Sequence, residues 1–260
     1  MVDQMVSHVP DGVDGHLAVP TGGTGAGVLV LHAWWGLNPF LRGLCDRLAS
    51  EGFVALAPDL YHGKTAATVE EAKRLRSRLR RETVSSEIVW AAEALAAHPA
   101  VLRPDLGLIG FSLGAYWALW LADQPSSPIR ATVLFYGARG GDYATTRSTF
   151  LFNLAETDEW VSASSVKSLE RALRKAGKEA TFHIYPGAGH WFLESDRPEA
   201  YNALAAELAW ARTVKFLHQR LLAAWLTPML GQLPVLECSW PEYQATGSAT
   251  GRSLHLGALP

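Results

Sequence analysis

The sequence predicts an α/β fold with a mostly parallel central sheet and helices on both faces. Three observations predict it. Short apolar runs alternate with helix-like stretches from about residue 27 to residue 222, and strand alternating with helix is the pattern of parallel strands joined by crossover helices. The runs are apolar throughout rather than every second residue, as in strands buried on both faces. No linker-like stretch interrupts the series, so residues 1–227 read as one domain.

The elements follow in order. GVLVLHA (27–33) reads as a buried strand. Asn38 then offers a cap and Pro39 a first helical residue, for a helix reaching Ser50 and stopping at Gly52. FVALAPD (53–59) is a second strand. Thr68 and Glu71 form a capping-box pattern that opens a long helical region to about Ala97. LGLIGF (106–111) is the third strand, and LGAYWALWLA (113–122) the helix after it. ATVLFYG (131–137) and FLFNLAE (150–156) are the fourth and fifth strands. Ser162 caps a helix over 163–176 that ends at Gly177. ATFHIYP (180–186) is the sixth strand, and a last helix runs from about Pro198 to Leu222. Residues 1–12 show no periodicity. Residues 228–260 are rich in Pro, Gly and Ser and read as an irregular C-terminal tail.

Composition narrows the function classes. A chain of 260 residues with 48% hydrophobic and 18% charged side chains can bury a sizeable core. A net charge of -2 points to neither a nucleic acid nor a membrane surface as partner. Two cysteines, Cys45 and Cys238, make neither a disulfide framework nor a zinc cluster. The stretch MVDQMVSHVPDG lacks the basic start and apolar run of a signal peptide, and no run is long enough to span a membrane. The expectation is a cytoplasmic protein, monomer or homodimer, acting on a small molecule.

The chemistry concentrates in three loops. Gly110-Phe111-Ser112-Leu113-Gly114 fits G-x-S-x-G between an apolar strand and a helix. In such a tight turn a Cβ at either glycine would collide with backbone. The turn lifts the serine hydroxyl above the sheet and turns the N–H of Leu113 into the same space. Serine needs a base, and His190 in YPGAGHWF lies on the loop past the last strand. An acid is needed to fix the imidazole tautomer. Asp158 in AETDEWV lies past the end of the fifth strand, with Glu156 and Glu159 as alternatives. The order serine, acid, histidine is that of α/β-hydrolases and of no other serine hydrolase fold. A second oxyanion N–H belongs on the loop HAWWG (32–36).

Together these pieces resemble the dienelactone hydrolase family. VLVLHAWWGLNPFLRGLCDRLASEGFVALAPDLYHGK (28–64) is similar to its first βαβ block, and GFSLGA, AETDEWV and YPGAGHWF to its three catalytic segments. The resemblance covers roughly 14–222. It implies the α/β-hydrolase fold with no large cap domain, no metal or organic cofactor, and cleavage of an ester or lactone through an acyl-enzyme. It gives Ser112 the role of nucleophile, Asp158 of acid and His190 of base, with oxyanion N–H groups from Trp34 and Leu113. The family's best-known members carry a cysteine nucleophile in a G-x-C-x-G-G setting, with a glutamate three residues before the glycine of the WWG-like stretch. Here Ser112, Ala115 and Ala33 occupy those places. Arginines hold a substrate carboxylate in those members. The matching positions are Gly63 and Glu194, so an anionic dienelactone is not the expected substrate.

Trp34, Trp35, Trp160 and Trp191 flank the catalytic segments, and with Tyr61 they are candidates for the pocket wall or for core packing. The glycine-rich stretch 21–27 precedes a strand and does not fit a phosphate loop. The basic run from Lys73 to Arg81 reads as a solvated helix face, with Glu70 paired to Arg74 and Leu75 and Leu79 as its buried stripe. Cys45 reads as packing. Two other readings share the scaffold: a ligand-binding or sensory protein without turnover, and an acyltransferase.

Overall fold

The computed structural model describes residues 9–222, so the tail expected at 228–260 lies outside the described residues. Seven strands form one sheet in the order β1-β3-β2-β4-β5-β6-β7. They are β1 (Gly15–Ala18), β2 (Ala26–Leu31), β3 (Phe53–Pro58), β4 (Leu106–Phe111), β5 (Ile129–Phe135), β6 (Thr149–Ala155) and β7 (Ala180–Tyr185). All neighbours pair in parallel except β1, which runs antiparallel to β3 at the edge. The six expected strands are present, and β1 is an addition to them.

The helices are α1 (Pro39–Ser50), α2 (Val69–Arg78), α3 (Arg81–Ala96), α4 (Leu113–Ala122), α5 (Ala163–Lys175) and α6 (Ala203–Leu217), followed by a π-helical turn at His218–Leu222. Local chemistry starts several of them as expected. The Asn38 side chain accepts the Leu41 N–H, with Pro39 next in line. Thr68 and Glu71 make both bonds of the capping box. Ser162 accepts the N–H of Ser165.

Two expectations need correction. The region from Thr68 to Ala97 is two helices, not one. Leu79 and Arg80 take extended backbone, at ψ 124° and 133°, between α2 and α3. Helix α3 packs Val84, Ile88, Ala91, Ala92 and Leu95 on the sheet, whereas α2 buries only Ala72. The two segments thus answer to different surfaces. The last helix starts at Ala203 rather than Pro198. Turns stapled by bonds such as Arg197 N–H to Glu194 O occupy the interval, and the Asn202 side chain caps the helix by accepting from Ala205.

The period of two along each strand sorts the core into two layers. On β2, Val28 and Val30 face the layer under α1 and α6. Leu29 and Leu31 face the layer under α3, α4 and α5. Helix α4 is apolar almost all round and buries Ala115, Trp117, Ala118, Leu119 and Leu121, as a helix in the middle of a covered sheet must. Every parallel strand ends at one rim. The chain order reverses between β2 and β4, and the crevice outside the strand ends at such a reversal is the favoured ligand site of open parallel sheets. Among the described residues no helix is long and apolar enough to cross a membrane.

Candidate active site

Ser112 directly follows β4 and holds a left-handed backbone, φ 50° and ψ -107°. A non-glycine residue there costs about 1–3 kcal/mol and persists only where the surroundings enforce it. The flanking glycines make the turn possible. A Cβ on Gly110 would lie 2.6 Å from the carbonyl oxygen of Gly114, and one on Gly114 would lie 2.1 Å from that of Leu31. Ala115 is fully buried and fits because Gly137 opposite lacks a side chain, whose Cβ would come within 2.3 Å of that of Ala115.

The loops after β4, β6 and β7 bring three side chains into one hydrogen-bonded series. Ser112 Oγ lies 2.9 Å from His190 Nε2, and His190 Nδ1 lies 2.8 Å from Asp158 Oδ2. Asp158 is itself fixed, since its Oδ1 accepts the N–H groups of Trp160 and Val161 at 2.8 and 2.9 Å. Of the three acids in that loop, Asp158 meets the imidazole. Glu156 accepts instead from Gly187 N–H, and Glu159 is exposed. His190 is 7% exposed, packed between the rings of Tyr136 at 4.9 Å and Trp191 at 4.8 Å.

A cleft of about 910 Å³ opens over Ser112. Its lining includes Trp34, Leu113, Tyr116, Trp117, Trp160 and Trp191. Trp160 is exposed and meets the ring of Trp34 edge-on at 4.8 Å. The backbone N–H groups of Trp34 and Leu113 donate to no protein acceptor among the described residues. Two expected wall residues lie elsewhere. Trp35 is 2% exposed and packs under Trp191 and the guanidinium of Arg197. Tyr61 is buried against His32, and burial pushes its phenol up to about 12. Neither lines the cleft.

The basic run also departs from expectation. Lys73, Arg76, Ser77, Leu79 and Arg81 line the cleft, so this stretch is not merely a solvated face. Leu75 and Leu79 are half-buried, and Arg74 lies near Glu71 rather than paired with Glu70. Two further residues, His32 and Tyr136, carried no sequence signal. His32 ties the loop after β2 to that after β3: its Nε2 accepts the Leu60 N–H at 3.2 Å, so Nδ1 holds the ring proton and donates to Ala33 O at 2.7 Å. Burial lowers its pKa, which keeps the ring neutral. Beneath His190, the Tyr136 hydroxyl donates to Glu194 Oε1 at 2.8 Å, and both residues are wholly buried. Among the described residues no group of three or more His, Cys, Asp or Glu side chains is placed to hold a metal ion.

A parallel sheet with a serine elbow after a central strand, and with an acid and a histidine on the loops after the last two strands, defines an α/β-hydrolase. The chain belongs to the dienelactone hydrolase family, whose sequence profile matches residues 13–221. It is 33% identical over 229 residues to the protein usf of Aquifex pyrophilus, covering 84% of this chain and 99% of that one. It is 31% identical over 224 residues to a provisionally assigned carboxymethylenebutenolidase of Aquifex aeolicus, covering 82% and 96%. Among solved structures, a provisionally assigned dienelactone hydrolase from Klebsiella pneumoniae superposes with a TM-score of 0.69 at 26% identity, covering 79% of this chain and 92% of that one.

Proposed function

We propose that the protein hydrolyses a carboxylic ester or lactone through an acyl-serine intermediate. One observation carries the reading: the unbroken series Ser112–His190–Asp158, with spacings of 2.9 and 2.8 Å, whose serine end lines the cleft. Asp158 accepts a hydrogen bond from the Nδ1–H of His190, which leaves Nε2 as the acceptor for the serine hydroxyl. Ser112 Oγ attacks the carbonyl carbon while Nε2 takes its proton. The negative charge that develops on the carbonyl oxygen is received by the N–H groups of Leu113 and Trp34, which have no other protein acceptor among the described residues. Collapse breaks the bond to the alkoxide, which leaves with the proton from Nε2. A water then attacks the acyl carbon, giving its proton to the same nitrogen, and Ser112 is restored as the acid departs. In a lactone the leaving alcohol stays tethered to the acyl group and is released with it.

The names of the relatives support an ester or lactone bond. The serine mechanism rests on the local geometry, since Ala33 and Ser112 stand where the family's best-known members have glutamate and cysteine. Treatment with a fluorophosphonate is expected to add one phosphonyl group, located on Ser112 by peptide mass spectrometry. Ser112→Ala and His190→Ala are expected to stay unlabelled and to lose at least about 10³-fold in kcat/KM on 4-nitrophenyl butyrate. A wild-type protein that neither labels nor turns over the ester overturns the proposal.

A further inference from the structure

One set of side chains in the cleft has no part in that chemistry. Lys73, Arg76 and Arg81 line the same cleft as Ser112, and no carboxylate lines it with them. None of the three is in an ion pair among the described residues. The acids nearest in sequence are otherwise placed. The Glu71 carboxylate accepts the N–H groups of Ala67 and Thr68, and Glu82, in the first turn of α3, lies outside the lining. Three uncompensated cations on one wall of a chain with net charge -2 need an explanation in terms of what enters the cleft.

The break between α2 and α3 is what brings them together. On an unbroken helix Arg76 and Arg81 would be turned about 140° apart. With extended backbone at Leu79 and Arg80, both line one cleft. Arg81 is also the first residue of α3, whose N-cap makes no side-chain bond, so the positive end of that helix dipole lies at the same place. A relay of aromatic rings joins the wall to the His190 side of the cleft. The Arg76 guanidinium stands 5.9 Å from the ring of Trp34, which meets Trp160 at 4.8 Å, and Trp160 lies 6.4 Å from the His190 ring.

We propose that Lys73, Arg76 and Arg81 form an anion subsite, selecting esters or lactones that carry a doubly charged oxyanion of phosphoryl type at the end remote from the scissile carbonyl. The argument for a double charge is the donor set: two guanidinium forks and an ammonium far exceed what a single carboxylate compensates. The aromatic wall takes the apolar stretch between the two ends. The positions that hold a substrate carboxylate in the family's best-known members are Gly63 and Glu194 here, and neither lines the cleft, so this subsite is a different one. The inference rests on the hydrolase reading for its substrate, though not for its binding.

Three 4-nitrophenyl esters of equal reach test it: hexanoate, the mono-ester of adipate, and 5-phosphonopentanoate. The wild type is expected to prefer the phosphonate over hexanoate by at least about tenfold in kcat/KM, with adipate between them and the preference shrinking in 0.5 M salt. In Arg76→Gln/Arg81→Gln the ratio is expected to fall towards one, with the Lys pair restoring part of it. A purely structural defect lowers all three rates and leaves the ratio intact. Arg78→Gln, on the exposed face of α2, keeps the ratio. Butylphosphonate binding to Ser112→Ala, read by tryptophan fluorescence, is expected to weaken at least about tenfold with the paired Gln changes. Hexanoate turnover with no charge preference overturns the subsite and leaves the hydrolase reading standing. Phosphonate binding lost in the Gln pair, with no ester turned over, does the reverse.

Discussion

Glu194 lies wholly out of water beneath the His190 imidazole, with one carboxyl oxygen on the Tyr136 hydroxyl and the other without a hydrogen-bond partner among the described residues. Burial pushes its pKa up to about 8. Asp196 adds to the rise, and the Tyr136 hydroxyl and Arg197 work against it. The sign follows from linkage. Between about pH 4.5 and 8 the folded protein holds this proton and the unfolded chain does not, so the site's contribution to stability falls as pH rises through that range. Glu194→Gln removes the titration while keeping a carbonyl oxygen for Tyr136. The variant is expected to match the wild type near pH 5 and to exceed it by about 2–4 kcal/mol at pH 8, read by urea unfolding at both values. Equal slopes with pH in the two proteins would refute this. Sequence pattern placed Glu194 only as a departure from a family arginine. Nothing in its neighbours reveals that Tyr136, fifty-eight positions earlier, would face it.

At the level of the element, the turn from β4 into α4 is where the sequence was most legible. Gly110, Ser112 and Gly114 announced a geometry that only small residues permit, and the crowding at the Leu31 and His32 carbonyls is its cause. Gly114→Ala drives a methyl group into that backbone, so α4 must shift. The expected cost is about 2–4 kcal/mol in urea unfolding, together with slower phosphonate labelling of Ser112. Gly140→Ala, where a Cβ meets nothing within 4 Å, is the control and stays within about 0.5 kcal/mol. The continuous apolar runs gave β2, β3 and β4 almost to the residue, because burial on both faces leaves no other composition. The edge element β1 escaped notice. Its four residues, GHLA, are mostly half-buried and show no run to read. The break between α2 and α3 was equally silent. No glycine or proline marks it, and it follows from the different surfaces that the two helices cover.

For the molecule as a whole, the two core layers meet at a sheet whose strands hold β2 and β4 at the centre. Cys45 lies on α1 inside one layer, fully buried, with burial pushing its thiol up to about 12. A thiolate is then scarce and unreachable until the layer opens. In a Cys238→Ser background, labelling of Cys45 by a disulfide reagent is expected to track global unfolding, with the same denaturant dependence as the loss of tertiary structure. Fast labelling under native conditions would show that α1 detaches alone. The site was legible at this scale for a reason of topology. Parallel strands deliver their following loops to one rim, so residues known only by their order along the chain could be expected to converge. The cationic wall was not, because its side chains come from a helix pair and not from a strand end.

The same topology sets when Ser112 and His190 can meet. His190 is delivered by the loop beyond β7, the outermost strand on its side, while the serine turn sits in the middle of the sheet. A chain emerging in order from a ribosome therefore exposes its hydroxyl first and its imidazole last. Until the final strand docks, the two side chains stay apart.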